Sequence, residues 1–403
     1  MAVTPQDVEA AHAAIRDNIL RTPTVQAPRL GEPLDVRLWL KLENLQYTGS
    51  FKDRGSCHKL QILAATSPKP TGVVAASAGN HAQGVAYHAG RLGLPAKIVM
   101  PQTTPFAKVE RTEGHGATVV LHGESVAEST SHAKELAAAE QLVFVHPYDD
   151  EEIVAGQATV AREMLEDVPD LDTLVIPIGG GGLCAGMALW AKHQKPGIRV
   201  IGVQTESCPS MHATLRGTPM PKLNTHTLAD GIAVKTPGVI PTKILKEHLD
   251  ELLLVSETDI EEAVQILAAQ QKVVAEGAGA AGFAAVLRHP KSFSNQNVGT
   301  VICGGNIDRR MLATVLLRGL KRDGKIARLH IHSPDVPGVL SRVTQMIGAA
   351  GADVIDIEHQ RVFNVLAPRE AELHVVMETK GAAHVEDILA RLRGAGFPAE
   401  TVT

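Results

Sequence analysis

Short apolar runs alternate with helical stretches through much of the chain, beginning near residue 72. Residues 72–76 and 96–100 are apolar runs of strand length, and helical patterns follow them at about 80–92 and 105–114. Such alternation predicts parallel sheets whose strands are connected by helices. Further strands are predicted at residues 118–121, 142–145, 173–178, 199–204 and 299–302. Several lead into glycine-rich loops, and open α/β sheets bind ligands at the carboxyl ends of their strands.

The pattern changes at residues 319–325, a charged stretch without apolar periodicity that predicts a linker. The elements predicted after it are a strand, a helix, two strands, a helix and a strand, at residues 327–332, 339–350, 353–361, 371–378, 385–394 and near Ala399. This βαββαβ order is that of a ferredoxin-like sandwich. We therefore predict two domains, residues 1–322 and 323–403, with a smaller subdomain of about residues 50–150 inserted in the first.

Composition and charge exclude several classes of protein. With 44% hydrophobic residues in 403, the chain can bury large cores and is neither disordered nor fibrous. The net charge is −5 and the basic residues are scattered, so no basic face for nucleic acid or a membrane surface is expected. A signal-peptide pattern is lacking, and no apolar run approaches the roughly 20 residues of a membrane span. We expect a cytoplasmic protein with a small-molecule substrate.

The metal-ligating residue types show no familiar metal motif. Four cysteines stand at positions 57, 184, 208 and 303 without CxxC spacing, which supports neither a structural zinc site nor a disulfide framework. The 18 histidines show no HExxH spacing, and we expect most of them to be surface groups. The sequence therefore predicts no metal site.

Lys52 is the most informative residue, because it stands among small residues after a strand, in the run Gly49-Ser-Phe-Lys52. Such a lysine is well suited to hold an aldehyde cofactor, which suggests pyridoxal 5'-phosphate. The alternative is a surface lysine that opens a helix. Three other segments decide between the two interpretations.

Two of these segments connect a predicted strand to a predicted helix. In residues 76–81, backbone amides and the positive end of the helix can receive an anion such as a substrate carboxylate. The alternative is a capped turn. In residues 178–183, four consecutive glycines let main-chain amides approach phosphate oxygens closely, although glycine runs also occur in flexible loops. In the third segment, residues 301–308, Cys303 ends a strand where a cofactor ring could meet it or where it could simply be buried.

These four sites together resemble the fold-type II pyridoxal-phosphate enzymes (tryptophan synthase β-like), and within them the serine/threonine dehydratase group, over about residues 5–320. The resemblance implies that Lys52 forms an imine with the cofactor and then serves as the general base at the substrate Cα. It also implies further cofactor contacts, which are Phe51 on the ring, Asn80 at the 3′-oxygen, Gly179, Gly180, Gly181, Gly182 and Leu183 at the phosphate, and Cys303 at the pyridine nitrogen. Glu276 is implied near the ring by the run at residues 274–280, although it could be only a helix-entry acid. The implied substrate-carboxylate contacts are Ser77, Gly79, Asn80 and His81.

The activity implied by the resemblance is elimination of water from L-threonine and L-serine, giving 2-oxobutanoate or pyruvate and ammonia. A neutral thiol at Cys303 favours elimination over transamination. Serine racemases need a second base at the position of Ala78, and an alanine there disfavours racemisation. Serine racemases also bind a divalent cation through two carboxylates, and this chain has Glu206 at one of these positions but His212 where the second carboxylate is expected. The alternatives left open are another β-hydroxy amino acid such as 3-hydroxyaspartate, a serine racemase, or a non-catalytic amino-acid-responsive protein on this fold.

The C-terminal unit resembles an ACT domain over residues 326–403, with the turn at residues 335–341 as its motif. The resemblance implies an amino-acid effector, such as isoleucine or valine, held near Asp335, Gly338, Val339, Leu340 and Ser341. ACT units pair through sheet edges, so the alternative is a dimerisation domain that binds nothing. We expect a homodimer or homotetramer regulated by an amino acid.

Overall fold

The computed structural model describes residues 3–360 and 369–402, and the chain divides into two compact units, Met1–Ile307 and Asp308–Thr403. The strands of the first unit are β1 Thr24–Gln26, β2 Arg37–Lys41, β3 Val73–Ala76, β4 Ala96–Met100, β5 Thr118–Leu121, β6 Val143–Phe144, β7 Thr173–Pro177, β8 Arg199–Thr205, β9 Glu251–Val255 and β10 Asn297–Val301.

The helices of the first unit connect these strands and cover the sheets. They are α1 Pro5–Ile15, α2 Pro28–Gly31, α3 Lys52–Ala65, α4 Asn80–Arg91, α5 Phe106–Gly114, α6 Val126–Ala139, α7 Glu151–Asp167, α8 Gly182–Gln194, α9 Ser210–Arg216, α10 Val239–His248, α11 Glu257–Ile266 and α12 Gly277–Arg288. Short 3-10 turns lie at Glu32–Leu34, Glu43–Leu45, Asp230–Ile232 and Pro290–Ser292, and a π-helical turn lies at Leu267–Gln271.

Two open sheets organise the first unit. The larger has the order β1-β2-β10-β7-β8-β9 and is parallel except for β1, and the smaller has the order β5-β4-β3-β6 and is parallel throughout. Every residue of β3 and β7 is buried, as expected for parallel strands covered by helices on both faces. The predicted α/β class with two parallel sheets is confirmed.

The second unit holds α13 Arg309–Arg322, β11 Ile326–Pro334, α14 Val339–Ala349, β12 Asp353–Gln360, β13 Glu370–Glu378, α15 Ala382–Gly394 and β14 Ala399–Thr401. Its four strands form an antiparallel sheet in the order β12-β13-β11-β14. The predicted βαββαβ sandwich is confirmed. Residue 361, the last of the predicted third element, lies outside the described residues.

The linker prediction for residues 319–325 was wrong in its first half, since α13 continues through Arg322. Asp308 caps the start of the helix, and its side chain accepts hydrogen bonds from the amides of Arg310 and Met311. Because α13 groups with the second compact unit, the division of the chain falls before Asp308, whereas the predicted boundary follows this helix. Among the described residues, no helix is both long and apolar enough to cross a membrane.

Candidate active site

Much of the site follows the carboxyl ends of parallel strands from both sheets of the first unit. The loop Ser77–Gly79 follows β3, and His146 lies two residues after β6. The glycine loop follows β7, and Cys303 lies two residues after β10. This is the edge at which open α/β sheets bind ligands.

Lys52 is the first residue of α3, and its Nζ donates a 2.7 Å hydrogen bond to the carbonyl of Pro147. The same Nζ lies 5.0 Å from the centre of the Phe51 ring. Burial lowers the pKa of this amine to about 8, against the opposing influence of Cys303 and Glu276. A lysine with this pKa has a substantial neutral, nucleophilic fraction near neutral pH.

The segment before Lys52 is fastened to the segment after β10. The Phe51 amide donates to the Cys303 carbonyl at 3.0 Å, and Ser50 and Gly304 form an antiparallel bridge. The Gly305 amide donates to the Gly49 carbonyl at 3.0 Å. These contacts hold Lys52 and Cys303 in one site, although they are 251 residues apart in the sequence.

Cys303 is a buried free thiol, with 2% of its surface exposed. Burial and the nearby Glu276 raise the pKa of the thiol well above its ordinary value. The side chain is therefore neutral at physiological pH, as the sequence interpretation of this position requires.

A chain of three side chains joins Glu276, Asn80 and Asn306. Asn80 Nδ2 donates to Glu276 Oε1 at 2.7 Å, and Asn306 Nδ2 donates to Asn80 Oδ1 at 2.8 Å and to the Thr48 carbonyl at 2.7 Å. Glu276 stands at the N-cap position of α12, but its carboxylate makes no capping bond. The carboxylate therefore serves the site and not the helix end.

Glu276 is the most perturbed acid of the site. Burial and the neighbouring Asp230 raise its pKa to about 7, although hydrogen bonds from Asn80 and the Asn306 amide act in the opposite direction. Glu276 consequently titrates near physiological pH, which is the behaviour of a functional carboxyl more often than of a structural one.

His81 is buried on α4 and is held by one ring nitrogen. Its Nε2 lies 3.0 Å from the Val145 carbonyl, which fixes the proton on Nε2 because a carbonyl can only accept. The buried Nδ1 has no hydrogen-bond partner among the described residues. Burial and the charge of Lys52 lower the pKa of His81 to about 3, so the ring offers a neutral acceptor and not a cation.

The loop Ser77–Gly79 is open on the side of Gly79. Ser77 Oγ accepts a 3.2 Å hydrogen bond from the Gly79 amide. A Cβ added at Gly79 would meet no heavy atom within 4 Å outside its chain neighbours. This space lies at the start of α4, where the helix dipole favours an anion.

The glycine loop lies against Tyr148, the residue after Pro147. A Cβ at Gly180 would come within 2.3 Å of Tyr148 Cγ, and one at Gly182 within 3.1 Å of Tyr148 Cβ. Gly181 has a φ of 101°, which favours glycine, and it caps the 13-residue helix α8. The first amides of α8, which include those of Gly182 and Leu183, have no carbonyl partner within the helix and can donate to an anion.

Three residues of the site were missed in the sequence. His146 and Tyr148 follow the two-residue strand β6, and Asn306 follows the pair Gly304-Gly305. Burial lowers the pKa of His146 to about 4, so it is neutral beside Lys52. Their position after the ends of parallel strands was the available signal.

These residues fit pyridoxal 5'-phosphate. Lys52 offers a buried amine for the aldehyde, the amides around Gly181 and Leu183 can hold the phosphate, and the neutral Cys303 and Asn80 suit the ring. The unpartnered Nδ1 of His81 leaves a buried acceptor for a further ligand group.

The effector residues predicted in the second unit surround the start of α14. Gly338 has a φ of 90° and caps this helix, while Leu340 and Ser341 are exposed. Val339 is only 4% exposed and packs in the core of the sandwich, so its side chain is not available to a ligand. The Asp335 amide donates to the Arg369 carbonyl at 2.8 Å.

Comparisons with known proteins agree with the fold and the site. The family described as pyridoxal-phosphate dependent enzyme matches residues 15–304, and the ACT domain family matches residues 327–397. The L-threonine ammonia-lyase of Thermotoga maritima is 40% identical over 401 residues, which cover 99% of this chain and 100% of that protein.

Two solved structures illustrate the range of similar proteins. The processed form of threonine deaminase isoform 2 from Solanum lycopersicum is 32% identical, with a TM-score of 0.73, and the match covers 77% of this chain and 86% of that one. A maize serine racemase is 30% identical, with a TM-score of 0.74, and the match covers 80% of this chain and 99% of that one. The chain therefore belongs to the pyridoxal-phosphate dependent enzyme family and carries a C-terminal ACT domain.

Proposed function

We propose that this protein is a threonine ammonia-lyase, which converts L-threonine to 2-oxobutanoate and ammonia and L-serine to pyruvate and ammonia. The observation that carries the proposal is the buried amine of Lys52, with a pKa of about 8, beside an open loop suited to a carboxylate. The full-length similarity to a protein named L-threonine ammonia-lyase supports this choice of substrate.

Pyridoxal phosphate, when bound, supplies an electron sink for the electron pair left at Cα after its proton is removed. The chain's own residues supply the rest. Lys52 takes the Cα proton as a general base, because its lowered pKa gives it a much larger neutral fraction near neutral pH than an ordinary lysine has. The Pro147 carbonyl orients the Lys52 amine through the 2.7 Å hydrogen bond.

The substrate carboxylate binds at the loop Ser77–Gly79 and the start of α4. Backbone amides and the helix dipole provide the attraction there, and the space beside Gly79 provides the room. His81 and His146 are neutral, so they bring no positive charge to this loop and leave the attraction to the backbone amides and the helix dipole. This placement sets the Cα hydrogen relative to Lys52.

Two neutral residues favour elimination, Cys303 over transamination and Ala78 over racemisation. The protonated thiol of Cys303 brings no negative charge to the cofactor ring, which limits how long the electron pair at Cα is stabilised. Ala78 has no proton to give or take, so nothing at that position can return a proton to the opposite face of Cα. We therefore infer that this chain shares the fold of the serine racemases but not their second base.

The test is 2-oxo acid and ammonia release from threonine, serine and 3-hydroxyaspartate by the cofactor-loaded protein. We expect threonine to have the highest kcat/KM. The Lys52→Ala variant should lose about 10²–10⁴-fold in rate, which is the usual contribution of a positioned base. Lys69→Ala is the matched control, because Lys69 is an exposed lysine of the same unit that donates to the Leu92 carbonyl. The enzyme proposal fails if no β-hydroxy amino acid yields ammonia.

We further propose that an amino acid such as isoleucine or valine binds the ACT domain of a homodimer or homotetramer near Asp335 and Ser341. The match to the ACT domain family and the exposed surface at the start of α14 support this regulation. The Asp335→Asn variant should weaken the response of threonine turnover to isoleucine. Asp353→Asn, an exposed aspartate at the start of β12, should leave it unchanged. An equal isoleucine response in both variants would refute this site.

A further inference from the structure

The sheet of the second unit carries a cluster of ligating side chains on the face that points away from its core. His330 and His332 alternate along β11 with the buried residues Leu329 and Ile331, so both rings project from the open face. Glu372 on β13 is in register with His332. One ligand atom from each of His330, His332 and Glu372 lies within 4.8 Å of the other two.

The spacing within the cluster suits a small divalent ion. His330 Nε2 lies 3.4 Å from Glu372 Oε1. Two ligands of a tetrahedral zinc ion, each bonded at about 2.0–2.1 Å, lie roughly 3.4 Å apart. Although it lies close to the carboxylate, the buried His330 Nε2 makes no hydrogen bond within the described part of the chain. This nitrogen is therefore not committed to a hydrogen-bond partner and is free to bind an ion.

Two neighbours flank the His330 ring. Glu400 on β14 is paired with His330 in register, and its Oε1 lies 3.6 Å from His330 Nδ1. With an ion between Nε2 and Glu372, a carboxylate beside Nδ1 favours the proton on Nδ1 and leaves Nε2 to the metal. On the opposite strand, the His374 ring stacks on the His330 ring with centroids 4.7 Å apart and planes within 5°.

We propose that His330, His332 and Glu372 bind a divalent transition metal ion of the Zn²⁺ or Co²⁺ type. Two imidazoles and one carboxylate suit these ions, whereas Mg²⁺ and Ca²⁺ prefer oxygen ligands. Three protein ligands leave a fourth position of a tetrahedral ion for water or a small anion. Such an ion would fasten β11 to β13, with Glu400 on β14 as a positioning residue.

The test uses the full-length, cofactor-loaded protein after dialysis against a chelator. Titration with Co²⁺ should give the visible absorption of four-coordinate cobalt at one equivalent, and calorimetry with Zn²⁺ should give its affinity. His332→Gln and Glu372→Gln should each lower the affinity by more than about 100-fold. Glu400→Gln should lower it by about tenfold, the lower end of the effect of losing a carboxylate that orients a ligating histidine.

His132→Gln is the matched control. His132 stacks on His122 at 3.8 Å and lies 3.3 Å from a Glu135 carboxylate oxygen, so it is another histidine pair with an adjacent carboxylate. The His132→Gln variant should bind the ion with the same affinity as the parent protein. Ammonia release without added metal should be the same in all variants. No saturable Co²⁺ binding, or equal binding after loss of His332 or Glu372, would show that the cluster is only an ion pair.

Discussion

Asn80 donates a 2.7 Å hydrogen bond from Nδ2 to Glu276 Oε1, which joins the start of α4 to the start of α12. Glu276 has a pKa of about 7, and its ionised form accepts this bond more strongly than its protonated form. Activity should therefore rise with pH through about 7 as the carboxylate ionises and fixes Asn80. In Glu276→Gln the amide oxygen still accepts the bond but does not titrate. The rise of kcat/KM near pH 7, which is the acid limb of the pH profile, should therefore be lost.

The control for this pH profile is Glu206→Gln, which changes an exposed glutamate. Its profile should keep the limb near pH 7. A limb that persists unchanged in Glu276→Gln would assign the titration to another group.

Cofactor binding to the cofactor-free protein should depend on the ionisation of Lys52. Burial lowers its pKa to about 8 from an ordinary 10.5, so about one-tenth of the amine is neutral at pH 7, roughly 300 times the ordinary fraction. The rate of covalent attachment of pyridoxal phosphate should rise about tenfold per pH unit below 7 and level off above 8. Stopped-flow absorbance measures this rate, and a rise that continues to pH 10 would contradict the lowered pKa.

Gly180→Ala should weaken the cofactor site. The added Cβ would lie 2.3 Å from Tyr148 Cγ, and overpacking of this kind typically costs about 1–3 kcal/mol. We expect the dissociation constant for pyridoxal phosphate to increase at least tenfold and the melting temperature to fall. Gly197→Ala is the control, because a Cβ there meets nothing within 4 Å. Equal behaviour of the two variants would mean that Tyr148 moves aside freely.

A buried ion network anchors α3, the helix that begins with Lys52. Arg54 donates to Glu43 and Glu163 at 2.7 Å, and Lys41 donates to Glu163 at 2.6 Å, with both cations fully buried. Arg54→Met leaves two buried carboxylates without this partner and should lower the free energy of unfolding by about 3–5 kcal/mol. Arg162→Met, which removes partly exposed pairs with Glu9 and Glu166, should cost less than about 1 kcal/mol.

The same network should make the protein acid-sensitive. Burial alone would raise the pKa of Glu163, but Arg54 and Lys41 outweigh it and lower the pKa to about 2. A depressed folded-state pKa stabilises the protein above the unfolded value of 4.5, and this stability is lost as the pH falls through about 2. Urea unfolding between pH 5 and 2 measures the loss. In Glu163→Gln this contribution to the pH dependence should vanish.

Ala78→Ser introduces a hydroxyl at the position that lacks a second base. We expect the variant to form measurable D-serine from L-serine while it continues to release ammonia, and the parent protein to form none. Chiral chromatography measures both amino acids. Absence of D-serine in the variant would show that a hydroxyl at this position cannot reach Cα.

The sequence predicted most of the interior strands, because fully buried strands such as β3 and β7 are apolar along nearly their whole length. It omitted β1 and β9, and it gave no range for the strand before Lys52, which is β2. β2 ends in Lys41, a charged residue that suggests a surface, yet its amine is buried against Glu163. That pairing spans 122 residues and has no local signal.

In the site, too, residues within short sequence motifs could be predicted, whereas contacts between distant segments could not. Lys52 and the glycine loop carry local patterns that predict their surroundings, and the structure brings Lys52, Asn80, Glu276 and Cys303 together. The Pro147 carbonyl, by contrast, is a backbone group, so no side chain marks its position. Asn306 was omitted because asparagine after a glycine pair also fits an ordinary turn.

The position of β2 between β1 and β10 determines when the larger sheet can form during synthesis. β10 ends at Val301, so β2 lacks its parallel partner until nearly the whole first unit has left the ribosome. The smaller sheet, from Val73 to Phe144, is continuous in sequence and can assemble much earlier. The nascent chain therefore exposes one edge of β2 for most of its synthesis, and the larger sheet can be completed only when the end of the first unit emerges.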